Sequence, residues 1–456
     1  MSLEVIILAA GQGSRMKSRL PKVLHPVAGK PLLEHVVATA GSLNPVAIHV
    51  VVGHGAEKVK NALSDYTLHW TSQTQRLGTG HAVSQVLPEL NPDSTVLILY
   101  GDVPMIAGKT LSKLIGSATS APALLTAQVG DSSGYGRIIR DENGELVAVV
   151  EEKDADAAQR QITEINTGIM AAPAADLFEL LPRVQNNNSQ GEYYLPDILS
   201  LAVAEGKTVS TCEAESELEI LGVNDRIQLQ QIEREVQRLQ VEQLMREGVT
   251  MADAARVDIR GSLTCAADVS IDINVLFEGE VRLGNNVTIG PNCVLSNVSV
   301  GNGVCINAMS HLEGAEIGDN CTIGPFARLR PGTVLREGAR IGNFVETKKS
   351  DIGAGSKVNH LSYIGDCDMG ANVNIGAGTI TCNYDGANKF KTEIGDGVFV
   401  GSNSTLVAPL DVGNRGFIGA GSTITKTVAE DELAIGRARQ RNIRGWQRSR
   451  KEHNKD

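Results

Sequence analysis

No run of about 18 apolar residues occurs anywhere in the chain, so the sequence offers no bilayer-spanning helix. The N-terminal apolar segment is too short for a secretory signal and has Glu4 ahead of it, which makes a cytoplasmic protein the expectation. C-x-x-C spacing is also missing. The seven cysteines, Cys212, Cys265, Cys293, Cys305, Cys321, Cys367 and Cys382, are odd in number and scattered. They point neither to a disulfide framework nor to zinc, and are expected to be small buried hydrophobes. Excess positive charge is lacking too, and a net charge of -11 argues against general nucleic-acid binding. At 456 residues the chain exceeds one ordinary core, so two or three domains are expected.

What is present begins with Val5-Ile6-Ile7-Leu8, a β-branched apolar run of the kind that forms a strand buried on both faces of a parallel sheet. It opens into Leu8-Ala9-Ala10-Gly11-Gln12-Gly13-Ser14-Arg15-Met16, followed by Pro21-Lys22. Gly11 and Gly13 let the backbone turn sharply and approach a ligand with no Cβ in the way. Exposed N–H groups in such a loop favour anions, and Arg15 and Lys22 add charge-assisted donors, so phosphate is the expected guest. The dinucleotide pattern G-x-G-x-x-G fails because Met16 holds the third glycine position, and the next strand, Ala47–Val52, ends in Gly53-His54 rather than an acid. The Walker pattern G-x-x-x-x-G-K-[ST] is absent. An ordinary strand-to-helix turn with surface cations is the plainer alternative.

Apolar runs alternate with helix-like patterns through the first half, as at Leu32 to Ala40 and Thr79 to Val86, the rhythm of a doubly wound α/β sheet. Thr95 to Tyr100 reads as a buried strand that delivers Asp102 at its carboxyl end, where such sheets bind ligands. A carboxylate there suits Mg2+, a hard ion that takes oxygen ligands, and equally suits a turn or helix cap. In Gly222-Val223-Asn224-Asp225, Asn224 is open to the same two readings, ligand or cap of the helix that follows.

From Ile227 the texture changes: Leu229, Ile232, Val236 and Leu239 recur at three and four residues, predicting one long amphipathic helix ending near Gly248. Beyond it lies a six-residue period. Aliphatics recur at Leu283, Ile289, Leu295, Val300, Ile306, Leu312, Ile317, Ile323, Leu329, Leu335 and Ile341, then from Ile394 through Val400, Leu406, Val412 and Ile418 to Ile424. This fits a parallel β-helix in which each hexapeptide supplies one side of a prism. Two departures look chemical. Lys357 to Ile364 places His360 and Tyr363 on polar positions of a coil, and Cys382 to Thr392 interrupts the repeat as an extruded loop. Histidine is the side chain whose ordinary titration range suits proton removal near neutrality.

The Leu-Ala-Ala-Gly-x-Gly-x-Arg-Met segment with its Pro-Lys resembles the signature of sugar-1-phosphate nucleotidyltransferases, which have a doubly wound sheet and Mg2+-dependent chemistry. The resemblance implies catalytic roles for Arg15 and Lys22 and metal ligation by Asp102 and Asn224. It also implies nucleotide and sugar contacts from Leu8, Ala9, Ala10, Gly11, Gln73, Gly78, Thr79, Tyr100, Gly101, Gly136, Glu151 and Asn166. The six-residue period resembles the left-handed β-helix of hexapeptide acyltransferases, usually trimers; the handedness is taken from the resemblance, since it runs against the right-handed crossover rule.

The two halves in this order resemble the bacterial bifunctional enzymes that acetylate glucosamine-1-phosphate and uridylylate the product. That implies His360 as the base of acetyl transfer, Arg330, Lys348, Tyr363 and Asn374 around a sugar phosphate, and Ala377, Asn383, Tyr384, Ser402, Ala420 and Arg437 on acetyl-coenzyme A. The implied domains are a uridyltransferase over 1–226, a helical linker over 227–247 and an acetyltransferase over 248–456. UTP and acetyl-coenzyme A would be co-substrates, with one or two Mg2+ ions, and the chain would be a homotrimer with no nucleic-acid or membrane partner. The product, UDP-N-acetylglucosamine, would feed peptidoglycan and lipopolysaccharide synthesis. A single-activity nucleotidyltransferase with a structural β-helix is the rival enzyme, disfavoured by His360 and the Asn383-Tyr384 loop; a nonenzymatic trimeric scaffold is disfavoured by Arg15, Lys22 and Asp102. The basic stretch 437–451 is expected to be partly disordered.

Overall fold

The β-branched run near the N-terminus forms strand Leu3–Ala9, paired in parallel with Ala47–Val52 on one side and Thr95–Tyr100 on the other. Val5 and Ile7 enter one hydrophobic layer and Ile6 and Leu8 the other. The alternation of a strand is thus hidden in a continuous apolar run because both faces are covered. From one edge, the sheet order is Ser210–Glu213, Ala123–Gln128, Glu164–Pro173, Thr95–Tyr100, Leu3–Ala9, Ala47–Val52 and His69–Ser72. Glu164–Pro173 runs antiparallel to both neighbours, so this doubly wound sheet is mixed. The predicted helix at Leu32 forms as Leu32–Ser42 and buries Leu33, Val36, Val37 and Ala40 against one face.

The computed structural model describes residues 2–448 and divides into two compact units, Met1–Leu239 and Gln240–Asp456. The long helix spans Arg226–Arg246. Asp225 begins it, its Oδ1 accepting the N–H groups of Ile227 and Gln228 at 2.9 Å each. In the first unit Ile232 is buried with Met16, Val27 and Leu32, flanked by Leu229 and Val236. Leu239 departs from the predicted stripe and is 44% exposed; past it, Val241 and Leu244 join the core of the second unit.

In that second unit every aliphatic of the six-residue period is buried in one continuous core. Ile289, Ile306, Ile323, Ile341, Val358 and Ile375 stack in register, all in parallel. Hydrogen bonds link residues 17 or 18 apart, so three hexapeptides make one coil of a parallel β-helix. Asparagines in left-handed conformation, such as Asn286, Asn292 and Asn320, turn its corners. One coil is longer: Ala371 bonds Asp396, 25 residues on, and the surplus forms the extruded loop, closed by a bridge between Tyr384 and Lys389.

The cysteine expectation needs correction. All seven are free, but only Cys293, Cys321 and Cys367 are buried; Cys212, Cys265, Cys305 and Cys382 are partly exposed. Cys305 shows the reason: it precedes the inward Ile306 in one strand, and alternation turns it outward. Residues 437–448 are exposed, and the remainder of the basic stretch, 449–451, lies outside the described residues.

Candidate functional sites

Gly13 adopts φ 61°, and a short turn, Ser14–Met16, follows it with Met16 buried as its anchor. A Cβ at residue 13 would lie 2.6 Å from Lys22 Cβ, so only glycine lets the loop fold back onto that lysine. The Lys22 ammonium bonds Asp102 Oδ2 and lies 3.3 Å from Asn224 Oδ1, to which Arg15 Nη2 donates at 2.8 Å. Four residues from three remote segments therefore share one polar cluster. Val223 N–H donates to the Asp102 carbonyl at 2.9 Å, holding the Asn224 segment on the end of the Thr95–Tyr100 strand. Asp225 caps the following helix, which leaves the Asn224 side chain to the cluster.

Beside it opens a cavity of about 220 Å3 lined by Leu8, Ala9, Ala10, Gly11, Lys22, Gln73, Gly78, Thr79, Tyr100 and Asp102. Gly101 lies beneath, buried against Leu33. Arg76 and Glu192 also line the cavity, and Arg76 Nη1 donates to Gln12 Oε1 at 2.8 Å. Arg76 stands between Gln73 and Gly78, in the stretch from Gln73 to Ala82 that the resemblance assigns to nucleotide contacts, while Glu192 carries no motif. Gly136, Glu151 and Asn166 form a separate group behind Tyr100. Gly136 packs on Glu151, and Asn166 Oδ1 accepts the Gly168 N–H at 2.8 Å. Gly168 has φ 78°, and a Cβ there would lie 2.6 Å from the Tyr100 ring, so this turn seats the tyrosine. Burial raises the Glu151 carboxyl above the ordinary range, opposed by its hydrogen bond with Asn166.

Asp102 and Asn224 offer one carboxylate and one amide oxygen, a hard and sparse donor set of the kind Mg2+ accepts while keeping waters and phosphates. The Lys22 ammonium lies between these oxygens, showing that a cation fits there.

In the second unit Arg330 and Lys348 stand on adjacent coils, where Arg330 N–H donates to the Thr347 carbonyl at 2.9 Å and its guanidinium to Glu346 Oε1 at 2.9 Å. Tyr363 is in register with Glu346, and its ring lies over Gly365. From the extruded loop comes Lys389. Its ammonium, with Arg330 beyond, holds Lys348 below the ordinary lysine range. Lys389 and Arg330 thus gather about Lys348, with Asp366 as its countercharge, and Asp366 also takes a bond from Asn383 Nδ2. Lys389 was missed from sequence because one lysine in a polar loop carries no motif.

Asn374 does not join this cluster, for it pairs with Lys357 and Phe399 in the other stack of strands. His360 ends strand Lys357–His360 with its side chain exposed; its carbonyl accepts Ser362 Oγ at 2.8 Å and Gly378 N–H at 3.3 Å. Ala377, Ser402 and Ala420 each follow by two residues the stacked Ile375, Val400 and Ile418, so they rise along one corner of the prism. The Arg437 guanidinium bonds the Ala420 carbonyl at that corner. Tyr384 is exposed on the extruded loop.

The mixed sheet with its glycine loop and the hexapeptide coils together define a nucleotidyltransferase joined to a hexapeptide-repeat transferase. Residues 5–175 match the MobA-like NTP transferase domain, 314–349 the bacterial transferase hexapeptide (six repeats), and 391–426 the hexapeptide repeat of succinyl-transferase. The chain is 56% identical to the bifunctional protein GlmU of Marinobacter nauticus, over 98% of its own length and 99% of that relative's. It is 54% identical to GlmU of Pseudomonas putida over 99% of both chains, and 53% identical to GlmU of Alkalilimnicola ehrlichii over 98% and 96%. The chain belongs to the GlmU family of bifunctional proteins.

Proposed function

We propose that this chain makes UDP-N-acetylglucosamine in two steps at two sites. In the second unit, Arg330, Lys348 and Lys389 hold the phosphate of glucosamine-1-phosphate, a dianion that three converging cations match. His360 removes a proton from the 2-ammonium, directly or through water, and the freed amine attacks the acetyl thioester of acetyl-coenzyme A. The C–S bond breaks, and N-acetylglucosamine-1-phosphate and free coenzyme A leave. The corner of Ala377, Ser402, Ala420 and Arg437, with Asn383 and Tyr384, is the surface on which the coenzyme lies.

In the first unit, a phosphate oxygen of that product attacks the α-phosphorus of UTP in line and expels pyrophosphate. Arg15 and Lys22 bind the phosphates and offset charge spreading over the transferring group. Gln73 offers both a donor and an acceptor to the uracil edge, and Glu151 and Asn166 orient the sugar. Asp102 and Asn224 would hold Mg2+, which when bound supplies further charge stabilisation and alignment of the phosphates.

The working unit is a homotrimer. Met309, Phe326, Phe344 and Leu361 repeat at one corner of successive coils, all exposed and all in left-handed conformation, and the Phe326 and Phe344 ring centroids lie 5.2 Å apart. An apolar ladder of this kind is expected to be covered by another copy. Sharing also accounts for Asn374, which stands apart from Arg330, Lys348 and Tyr363 within one chain. The reactions run in the cytoplasm, a reading supported by the choice of UTP and acetyl-coenzyme A as co-substrates; among the described residues no helix is long and apolar enough to cross a membrane.

The observation that carries this reading is that one chain holds both the Arg15, Lys22, Asp102 and Asn224 cluster and the triple-cation site beside the extruded loop. A single mixture of protein, glucosamine-1-phosphate, acetyl-coenzyme A, UTP and Mg2+ tests it. Thiol and pyrophosphate are both released, and chelating the metal stops pyrophosphate while thiol continues. Release of pyrophosphate alone from supplied N-acetylglucosamine-1-phosphate, with no thiol in the full mixture, favours the single-activity rival.

A further inference from the structure

We propose that His49, His69 and Glu89 form a binding site for a first-row divalent transition metal, of which zinc is the natural probe, at the edge of the N-terminal sheet. His49 lies in strand Ala47–Val52, and its register partner in the edge strand His69–Ser72 is His69. Register neighbours in adjacent strands put their side chains on the same face. The two rings lie 5.1 Å apart, and Glu89 at the end of turn Leu87–Glu89 brings an oxygen to 3.4 Å from His49 Nδ1. One ligand atom from each of the three residues lies within 4.8 Å of the others. A metal with bonds of about 2.0–2.2 Å needs these atoms slightly closer, and His69 and Glu89 are exposed and able to move.

The decisive residue is His49. It is 2% exposed, and its Nδ1 has no hydrogen-bond partner. Its Nε2 lies 3.1 Å from Glu4 Oε2, while Glu4 Oε1 accepts the Asn91 N–H at 2.9 Å. An ionised carboxylate only accepts, so Nε2 carries a proton, and in the neutral ring Nδ1 holds a lone pair on the side of His69 and Glu89. A carboxylate behind the far nitrogen of a ligating histidine fixes tautomer and ring orientation in many metal sites. Two imidazoles and one carboxylate suit zinc and its neighbours, and the exposed side leaves room for water. The competing arrangement is an imidazolium shared by Glu4 and Glu89, but Nδ1 and Glu89 do not form a hydrogen bond, and that arrangement gives His69 no part.

The site is separate from the phosphate loop. Glu4 lies near the start of the strand whose carboxyl end carries that loop, and His49 pairs with Ile6 in its middle, before the loop begins. An ion there would tie the short edge strand to its neighbour and to the Leu87–Glu89 turn, guarding an otherwise open sheet edge.

Full-length protein stripped with chelator is titrated with zinc by equilibrium dialysis, alongside His69→Ala, Glu89→Gln and Asp102→Asn. The wild type and Asp102→Asn bind one zinc per chain that His69→Ala lacks, and Glu89→Gln weakens that zinc at least about tenfold. Zinc-edge anomalous density lies between His49 Nδ1, His69 and Glu89, and uridyl transfer by His69→Ala is unchanged. Equal zinc stoichiometry and affinity in wild type and His69→Ala, or anomalous density confined to Asp102 and Asn224, overturns the proposal.

Discussion

The Lys22 ammonium rests on the carboxylate of Asp102, 80 residues further along the chain. The pairing follows from the sheet, because Leu8 at the entry to the phosphate loop is in register with Tyr100 just before Asp102. Each ion keeps the other oriented. Under the function proposed above, UTP and Mg2+ exchange this contact for their own.

Lys22→Ala is expected to lower uridyl transfer by roughly 10²–10³, the scale of losing one charge-stabilising donor, while acetyl transfer is retained. His360→Ala is expected to lower acetyl transfer by about 10²–10⁴ and to spare uridyl transfer. Pyrophosphate and thiol release, followed separately on the same preparations, check both. Loss of both activities in either folded variant would contradict two independent sites.

Lys389→Ala should raise the KM for glucosamine-1-phosphate about tenfold, as expected for removing one charge-assisted contact. Lys389→Arg should restore most of it. Lys348 should titrate higher in the alanine variant, since its neighbour's charge is what lowers it. Lys348 amine titration by NMR, together with the KM, separates a phosphate contact from a purely structural lysine.

Phe344→Asp places a charge in the exposed apolar ladder, and light scattering on the eluted protein should show monomers where the wild type gives trimers. Acetyl transfer should fall with the trimer. Uridyl transfer should persist, because Arg15, Lys22, Asp102 and Asn224 come from one chain.

Asp197 opens the helix Asp197–Ala204, and burial, with a smaller push from Asp154, raises its carboxyl from 3.8 to about 6. A raised folded-state value means the protonated form favours folding. That contribution is complete below 3.8 and disappears as pH rises through about 6. Asp197→Asn should melt above the wild type at pH 8, and the difference should shrink as the pH is lowered through this window. Thermal melts across the window measure it.

The coils of the second unit were legible because each hexapeptide states its own inward residue, and Ile306 or Val400 needs no distant partner to be recognised. The glycine turn at Gly13 was legible for the same local reason. The antiparallel course of Glu164–Pro173 was not, since a strand buried on both faces reads alike in either direction. Lys389 and the trio of His49, His69 and Glu89 acquire their neighbours only through register and stacking, which leave no spacing to find.

The extruded loop interrupts one coil, yet Val400 stacks on Ile375 just as Ile375 stacks on Val358. A solenoid touches only its nearest layers, so the added residues are absorbed where they occur, and the pattern resumes in phase above them. Support and chemistry are thereby uncoupled in inheritance. The exposed residues from Tyr384 to Lys389 can therefore change without displacing any of the stacked aliphatics of the prism.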